Sequence, residues 1–133
     1  MKTFFADSFF YFALLNSTDA AHEQAEAFLD HFDGRLVTTA FVLTELADGM
    51  ADPLDRGTFI RLHEALSTDP SVTIVPADAA LFADGLALYA QRPDKEWSLT
   101  DCISFVVMQR HGLTEALTGD HHFEQAGFTA LLK

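Results

Sequence analysis

One cysteine, eight basic side chains and no long apolar run set the first limits on this chain of 133 residues. The lone Cys102 can close no internal disulfide, which fits a reducing compartment, the cytoplasm, and it brings no second thiolate for a zinc site. No segment reaches the roughly 18 apolar residues that a membrane span needs. The opening Met1-Lys-Thr-Phe-Phe-Ala-Asp7 imitates a signal peptide, but Asp7 splits its apolar part, so a first strand and helix are expected there. A Gly-rich phosphate loop, a Gly-x-Ser-x-Gly elbow, internal repeats and low-complexity tracts are also missing.

The shortage of base is sharper because acid is plentiful: twenty Asp and Glu against eight Lys and Arg leave a formal charge of -12. That balance opposes loose binding to nucleic acid or anionic membranes, although acidic excess is also ordinary for a soluble protein. A polyanionic substrate would need metal ions and a local basic patch. What is abundant is apolar: a hydrophobic share of 49% with 13 Phe provides a substantial core, and the length suits one domain over residues 1–133.

Read in order, Thr3–Ala6 is an apolar run expected as a buried strand that ends at Asp7-Ser8. Phe9 to Leu15 is expected as a helix on the sheet, and Ala20 to Phe32 as an amphipathic one. Leu36–Thr39 is a second strand leading into a helix with Glu45 in its early turns. Asp55 to Leu66 is another helix, and Val72–Val75 a strand rich in β-branched residues. Asp78 caps a helix running to Gln91.

After the charged loop 92–96, Ser98-x-x-Asp101 has the spacing of a capping box before the apolar run Cys102 to Met108. Gly112 stops that helix, Glu115 to Thr118 is a strand, Gly119-Asp120 a turn, and Phe128 to Leu132 the last strand. Alternating strands and helices predict an α/β fold with a mainly parallel sheet. Ligands of such sheets bind beyond the carboxyl ends of the strands.

That rule gathers the acids. Asp7 follows the first strand, Glu45 the second, Asp101 opens the helix before the fourth, and Asp120 follows the fourth. Singly, each has a local use as a helix cap, a solvated helix residue or a turn former. Crowded at one sheet edge, they would repel one another unless a cation joined them. Oxygen donors without thiolate suit Mg²⁺ or Mn²⁺, and phosphodiester hydrolysis is the chemistry such ions support.

The sequence resembles the PIN domain family, most closely its VapC-like toxin ribonucleases. The marks are Ala6-Asp7-Ser8, Thr44-Glu45-Leu46, the stretch Asp94-Lys-Glu-Trp-Ser-Leu-Thr-Asp101-Cys-Ile-Ser-Phe105, and Asp120-His-His-Phe123 with Ala126-Gly127-Phe128. The resemblance implies a three-layer α/β/α fold with a central sheet of four or five strands. It implies metal-binding, catalytic acids at Asp7, Glu45, Asp101 and Asp120, with Ser8 or Ser98 orienting an acid or the attacking water. It also implies an RNA substrate, a small antitoxin lying over the apolar first helices, and a homodimer.

Arg92 and Lys95, beside the helix that carries Asp101, are the candidates for substrate phosphate, with Arg110 behind them as a helix C-terminal residue. Trp97 is expected in core or interface packing, and the adjacent His121 and His122 are expected to face solvent. Cys102, near a helix start, has no base beside it to make it a nucleophile. Two other classes compete. A non-catalytic PIN-like binding module would show eroded acids, and none is missing. A phosphate-accepting receiver domain would need an acidic pair near the first strand and a late Lys, whereas Asp7 stands alone and Lys133 is terminal.

Overall fold

The computed structural model describes residues 2–133; Met1, the first residue of the expected single domain, lies outside the described residues. Five strands form one parallel sheet: β1 (Lys2–Ala6), β2 (Gly34–Thr39), β3 (Val72–Val75), β4 (Glu115–Leu117) and β5 (Thr129–Ala130). Their order is β3-β2-β1-β4-β5. The chain builds outward from β1 to β3, then returns to add β4 on the other side. The reversal lies between β1 and β4, where Ala6 pairs with Leu117. Asp7 and Thr118, one residue on, therefore stand at the switch point.

The helices are α1 (Ser8–Leu15), α2 (His22–Asp30), α3 (Ala40–Asp48), α4 (Arg56–Thr68), α5 (Ala79–Gln91), α6 (Leu99–Arg110) and α7 (His121–Gln125). Strand alternation splits the core into two layers. Phe4, Ala6, Leu36 and Leu117 face a cluster with Phe10, Tyr11 and Ala25, while Phe5, Val37 and Ala116 face Ile103, Phe105 and Met108. The protein is thus a three-layer α/β/α sandwich, with five strands where four or five were expected.

The stretch from Leu99 to Arg110 explains its own composition. Asp101 to Phe105, Val107 and Met108 are all buried, because α6 is enclosed between the sheet and α5. A helix covered on both sides needs no polar face. Its tight contact with α5 depends on Gly85, where a Cβ would stand 2.2 Å from Cγ1 of the buried Ile103. We expect Gly85→Ala to destabilise the protein by about 1–3 kcal/mol through overpacking, despite the better helix propensity of Ala. Urea unfolding measures this, and an unchanged midpoint would show that α5 shifts at no cost.

Two expected boundaries change. The second helix is shorter than Ala20–Phe32 because the Asp19 carboxylate accepts the Ala21 N–H at 2.8 Å and holds the turn before it. The turn at Gly119-Asp120 opens into α7, begun by Asp120, whose Oδ1 accepts the His122 N–H at 2.9 Å, and ended before Gly127 at φ 97°. The last strand is consequently two residues, not Phe128 to Leu132, and pairs only with Glu115 and Ala116. No helix among the described residues is long and apolar enough to cross a membrane.

Candidate metal centre

Four elements deliver carboxylates to one cavity of about 380 Å³ at the carboxyl ends of the strands. Asp7, Glu45, Asp101 and Asp120 line it, with Ser8, Ser98, His122, Glu96 and the rings of Phe9 and Phe12. Each acid is held by a neighbour. Thr118 Oγ1 donates to Asp7 Oδ2 at 2.9 Å and accepts the Asp120 N–H at 3.1 Å, so one buried hydroxyl ties the first acid to the last. Ser8 Oγ donates to Glu45 Oε1.

Asp101 sits in the predicted capping box: its N–H donates to Ser98 Oγ at 3.0 Å, and the Ser98 N–H donates to Asp101 Oδ2 at 3.1 Å. Capping fixes this carboxylate and still leaves it on the cavity wall. His122 closes the arrangement, with Nδ1 at 3.3 Å from Asp101 Oδ2 and at 3.3 Å from Asp120 Oδ1.

Burial makes this concentration of charge costly. Asp7 is 4% exposed, and its pKa is pushed up to about 7, first by burial, with the charges of Asp101 and Glu45 adding to it against the Thr118 hydrogen bond. Asp101 is also raised, by burial and then by Asp120, against its bond from Ser98 N–H and the nearby His122. No Lys or Arg lines the cavity among the described residues. Oxygen donors lacking a cationic partner of their own are the donor set of a hard divalent ion, so the residues present fit Mg²⁺ or Mn²⁺. The closest grouping is a different one, however: among the described residues, the ligand-bearing trio within 4.8 Å is Asp120, His121 and His122.

A family model for the PIN domain matches residues 5–129. The chain belongs to the PIN domain family. Its fold closely follows that of Mycobacterium tuberculosis VapC20, described as a Sarcin-Ricin loop cleaving toxin, at TM-score 0.85 and 24% identity over 96% of this chain and 97% of that one. FitAcB from Neisseria gonorrhoeae is similar at TM-score 0.65 and 25% identity, covering 97% and 95%. VapBC-1 from nontypeable Haemophilus influenzae is similar at 0.67 and 13%, covering 99% and 100%. No curated protein matches the sequence closely enough to count as a relative.

Other expected residues of this PIN domain fall elsewhere. Arg92 and Lys95 line a separate cavity of about 470 Å³, which shares only Glu96 with the acidic one. Arg92 is held by both carboxylate oxygens of Asp94 at 3.0 Å and lies over the Trp97 ring at 5.1 Å. Arg110 pairs with Asp84 of α5. Trp97 is buried as expected, and its Nε1 donates to Gln125 Oε1 at 3.0 Å, joining the start of α6 to α7.

Cys102 is raised by burial and by the charge of Asp101, the opposite of thiolate activation, in line with its expected lack of a nucleophilic role. Two positions in contact with the acids escaped the sequence. Thr118 looks like a strand residue, and His122 departs from the solvent-facing expectation, with a side chain only 17% exposed between two acids. Threonine immediately before Gly119-Asp120, one turn of chain from an acid, was the signal available for the first; none marked the second.

Proposed function

We infer that this PIN domain is a metal-dependent endoribonuclease that hydrolyses RNA phosphodiester bonds, and that it is the toxin of a toxin–antitoxin pair. The observation that carries this is the meeting of Asp7, Glu45, Asp101 and Asp120 in one cavity lined by no Lys or Arg. Those four acids would hold Mg²⁺ or Mn²⁺, which supplies charge neutralisation at a phosphate and an acidified water when bound. The chain's own part is placement: Thr118 fixes Asp7, Ser8 fixes Glu45, and Ser98 fixes Asp101 through its cap. Ser98 would thus orient the acid. Arg92 and Lys95 would meet substrate phosphates flanking the acidic cavity, since they line the one beside it.

RNA as the substrate class draws support from the similar fold of VapC20, described as cleaving the Sarcin-Ricin loop. A small antitoxin draws support from the likeness to VapBC-1. Over the first helices, Phe9, Phe12, Leu14 and Leu15 are only half-buried, while Phe10, Tyr11 and Ala13 are buried in the core. Further apolar surface lies along α3 and α4, where Ala47, Phe59 and Ile60 line a groove of about 450 Å³. The antitoxin segment would lie over the first helices, with this groove as a second seat.

Incubation of the protein with RNA, with Mg²⁺, Mn²⁺ or EDTA, tests the activity. Cleavage that survives EDTA would sink the metal dependence, and its absence with both ions would sink the nuclease. An inactive protein that still captures its antitoxin would be the non-catalytic binding module.

The homodimer has a candidate face on α5, where Phe82, Leu86 and Tyr89 follow at helical spacing and are 43%, 44% and 50% exposed. A Leu86→Glu change is expected to convert the dimer to monomer, read by sedimentation equilibrium. An unchanged mass would remove α5 from the interface.

A further inference from the structure

We propose that His122 is a direct nitrogen ligand in the acidic cavity, forming with Asp101 and Asp120 a mixed oxygen and nitrogen site that prefers Mn²⁺ to Mg²⁺. This deepens the metal-dependent reading and rests on it for its biological meaning. The binding claim itself stands on geometry.

Ligands about 2.1 Å from one ion, at right angles, are about 3 Å apart. His122 Nδ1 is 3.3 Å from Asp101 Oδ2 and 3.3 Å from Asp120 Oδ1. Those separations already match two edges of such a coordination shell. The three groups come from two helix starts: Asp101 from the first turn of α6, Asp120 from the N-cap of α7 and His122 from the second residue of α7. Each is anchored through its backbone or a cap, by Ser98 on one side and by the His122 N–H to Asp120 Oδ1 bond on the other. An ion held by all three would draw Asp101 in toward Asp120, since Asp101 lies outside the trio of ligand-bearing side chains within 4.8 Å.

His121 flanks the same point. Its Nδ1 is 3.7 Å from Asp120 Oδ1, and it completes the trio of ligand-bearing side chains within 4.8 Å, but from the open side, where it is 60% exposed. His122, enclosed between both carboxylates, is the stronger donor.

Nitrogen changes which ion is favoured. Mg²⁺ demands oxygen and keeps its waters, whereas imidazole is a good ligand for first-row transition ions. Carboxylates alone suit both ions. One imidazole in the shell tilts the site toward Mn²⁺.

Calorimetric titration of the full chain with Mn²⁺ and with Mg²⁺ is expected to show Mn²⁺ binding at least about tenfold more tightly. Pulsed electron paramagnetic resonance of the Mn²⁺-loaded protein should detect ¹⁴N coupling. His122→Ala should abolish that coupling and weaken Mn²⁺ by about tenfold or more, while changing Mg²⁺ affinity by less than about threefold. Absence of ¹⁴N coupling in the parent protein, which requires no variant to fold, would overturn the proposal. So would coupling that persists in His122→Ala, including the case where His121→Ala removes it.

RNA cleavage separates this from the activity itself. Coupling without cleavage would support the site and sink the nuclease; Mn²⁺-dependent cleavage without coupling would leave the nuclease standing and overturn His122 as a ligand.

Discussion

Asp101→Asn is expected to lower metal-dependent RNA cleavage by at least about a hundredfold, the upper end of what losing a residue that merely orients a metal ligand costs. The substitution separates chemistry from folding, because the amide keeps an oxygen to accept the Ser98 N–H that now bonds Asp101 Oδ2 at 3.1 Å. Helix α6 stays capped, and the melting temperature should move by no more than a few degrees. What is lost is the negative oxygen on the cavity wall. Ser98→Ala makes the complementary test. It removes the acceptor of the Asp101 N–H and should cost about 1 kcal/mol of stability, with a smaller loss of activity, because the carboxylate remains but is less well fixed. Equal activity of Asp101→Asn and the parent would exclude Asp101 from the reaction.

Asp7→Asn is expected to stabilise the protein while abolishing its activity. Folding raises the Asp7 pKa from its ordinary 3.8 to about 7, so between those values the folded chain keeps a proton that the unfolded chain has released. Stability therefore falls as pH rises through that range, and the full cost is present above about pH 7. Asn carries no such charge, and its amide can still meet the Thr118 hydroxyl. At pH 8 the variant should be about 2–4 kcal/mol more stable than the metal-free parent, and near parity should return by about pH 4. Mn²⁺ or Mg²⁺ should stabilise the parent at pH 8 far more than the variant. Thermal melts across that pH range, with EDTA and with each ion, measure both effects. Parallel pH profiles for the two proteins would mean that the buried carboxylate is not the source of the cost.

Much of this was legible because it was local. The strand Val72–Val75, the cap at Asp78 and the box at Ser98 and Asp101 each rest on residues within a few positions of one another, and the structure places them as read. The gathering of the four acids needed only the rule about strand ends in parallel sheets, whereas the reversal of strand order beside β1 is seen only in the structure. Helix α7 was not legible: five residues are too few to establish a period, and its cap looks like any turn aspartate. His122 depends on α7, so its position between Asp101 and Asp120 was lost with it. Phe9 to Leu15 was legible as a helix on the sheet, and the structure buries Phe10, Tyr11 and Ala13 there while Phe9, Phe12, Leu14 and Leu15 stay half-buried.

The hydrogen bond from Trp97 to Gln125 has a practical use, because Trp97 is the chain's one indole. It sits edge-on to Phe105 at 5.0 Å, and Phe105 in turn meets Phe123 of α7 at 5.0 Å. Its emission is therefore a built-in gauge of how firmly the segment bearing Asp120 is docked against the one bearing Asp101. Loosening of α7 would break the indole hydrogen bond and admit water to the ring, shifting the emission to the red. Titrating cation while following that colour would report the closing of the acid pair in the unlabelled protein, without any nucleic acid present.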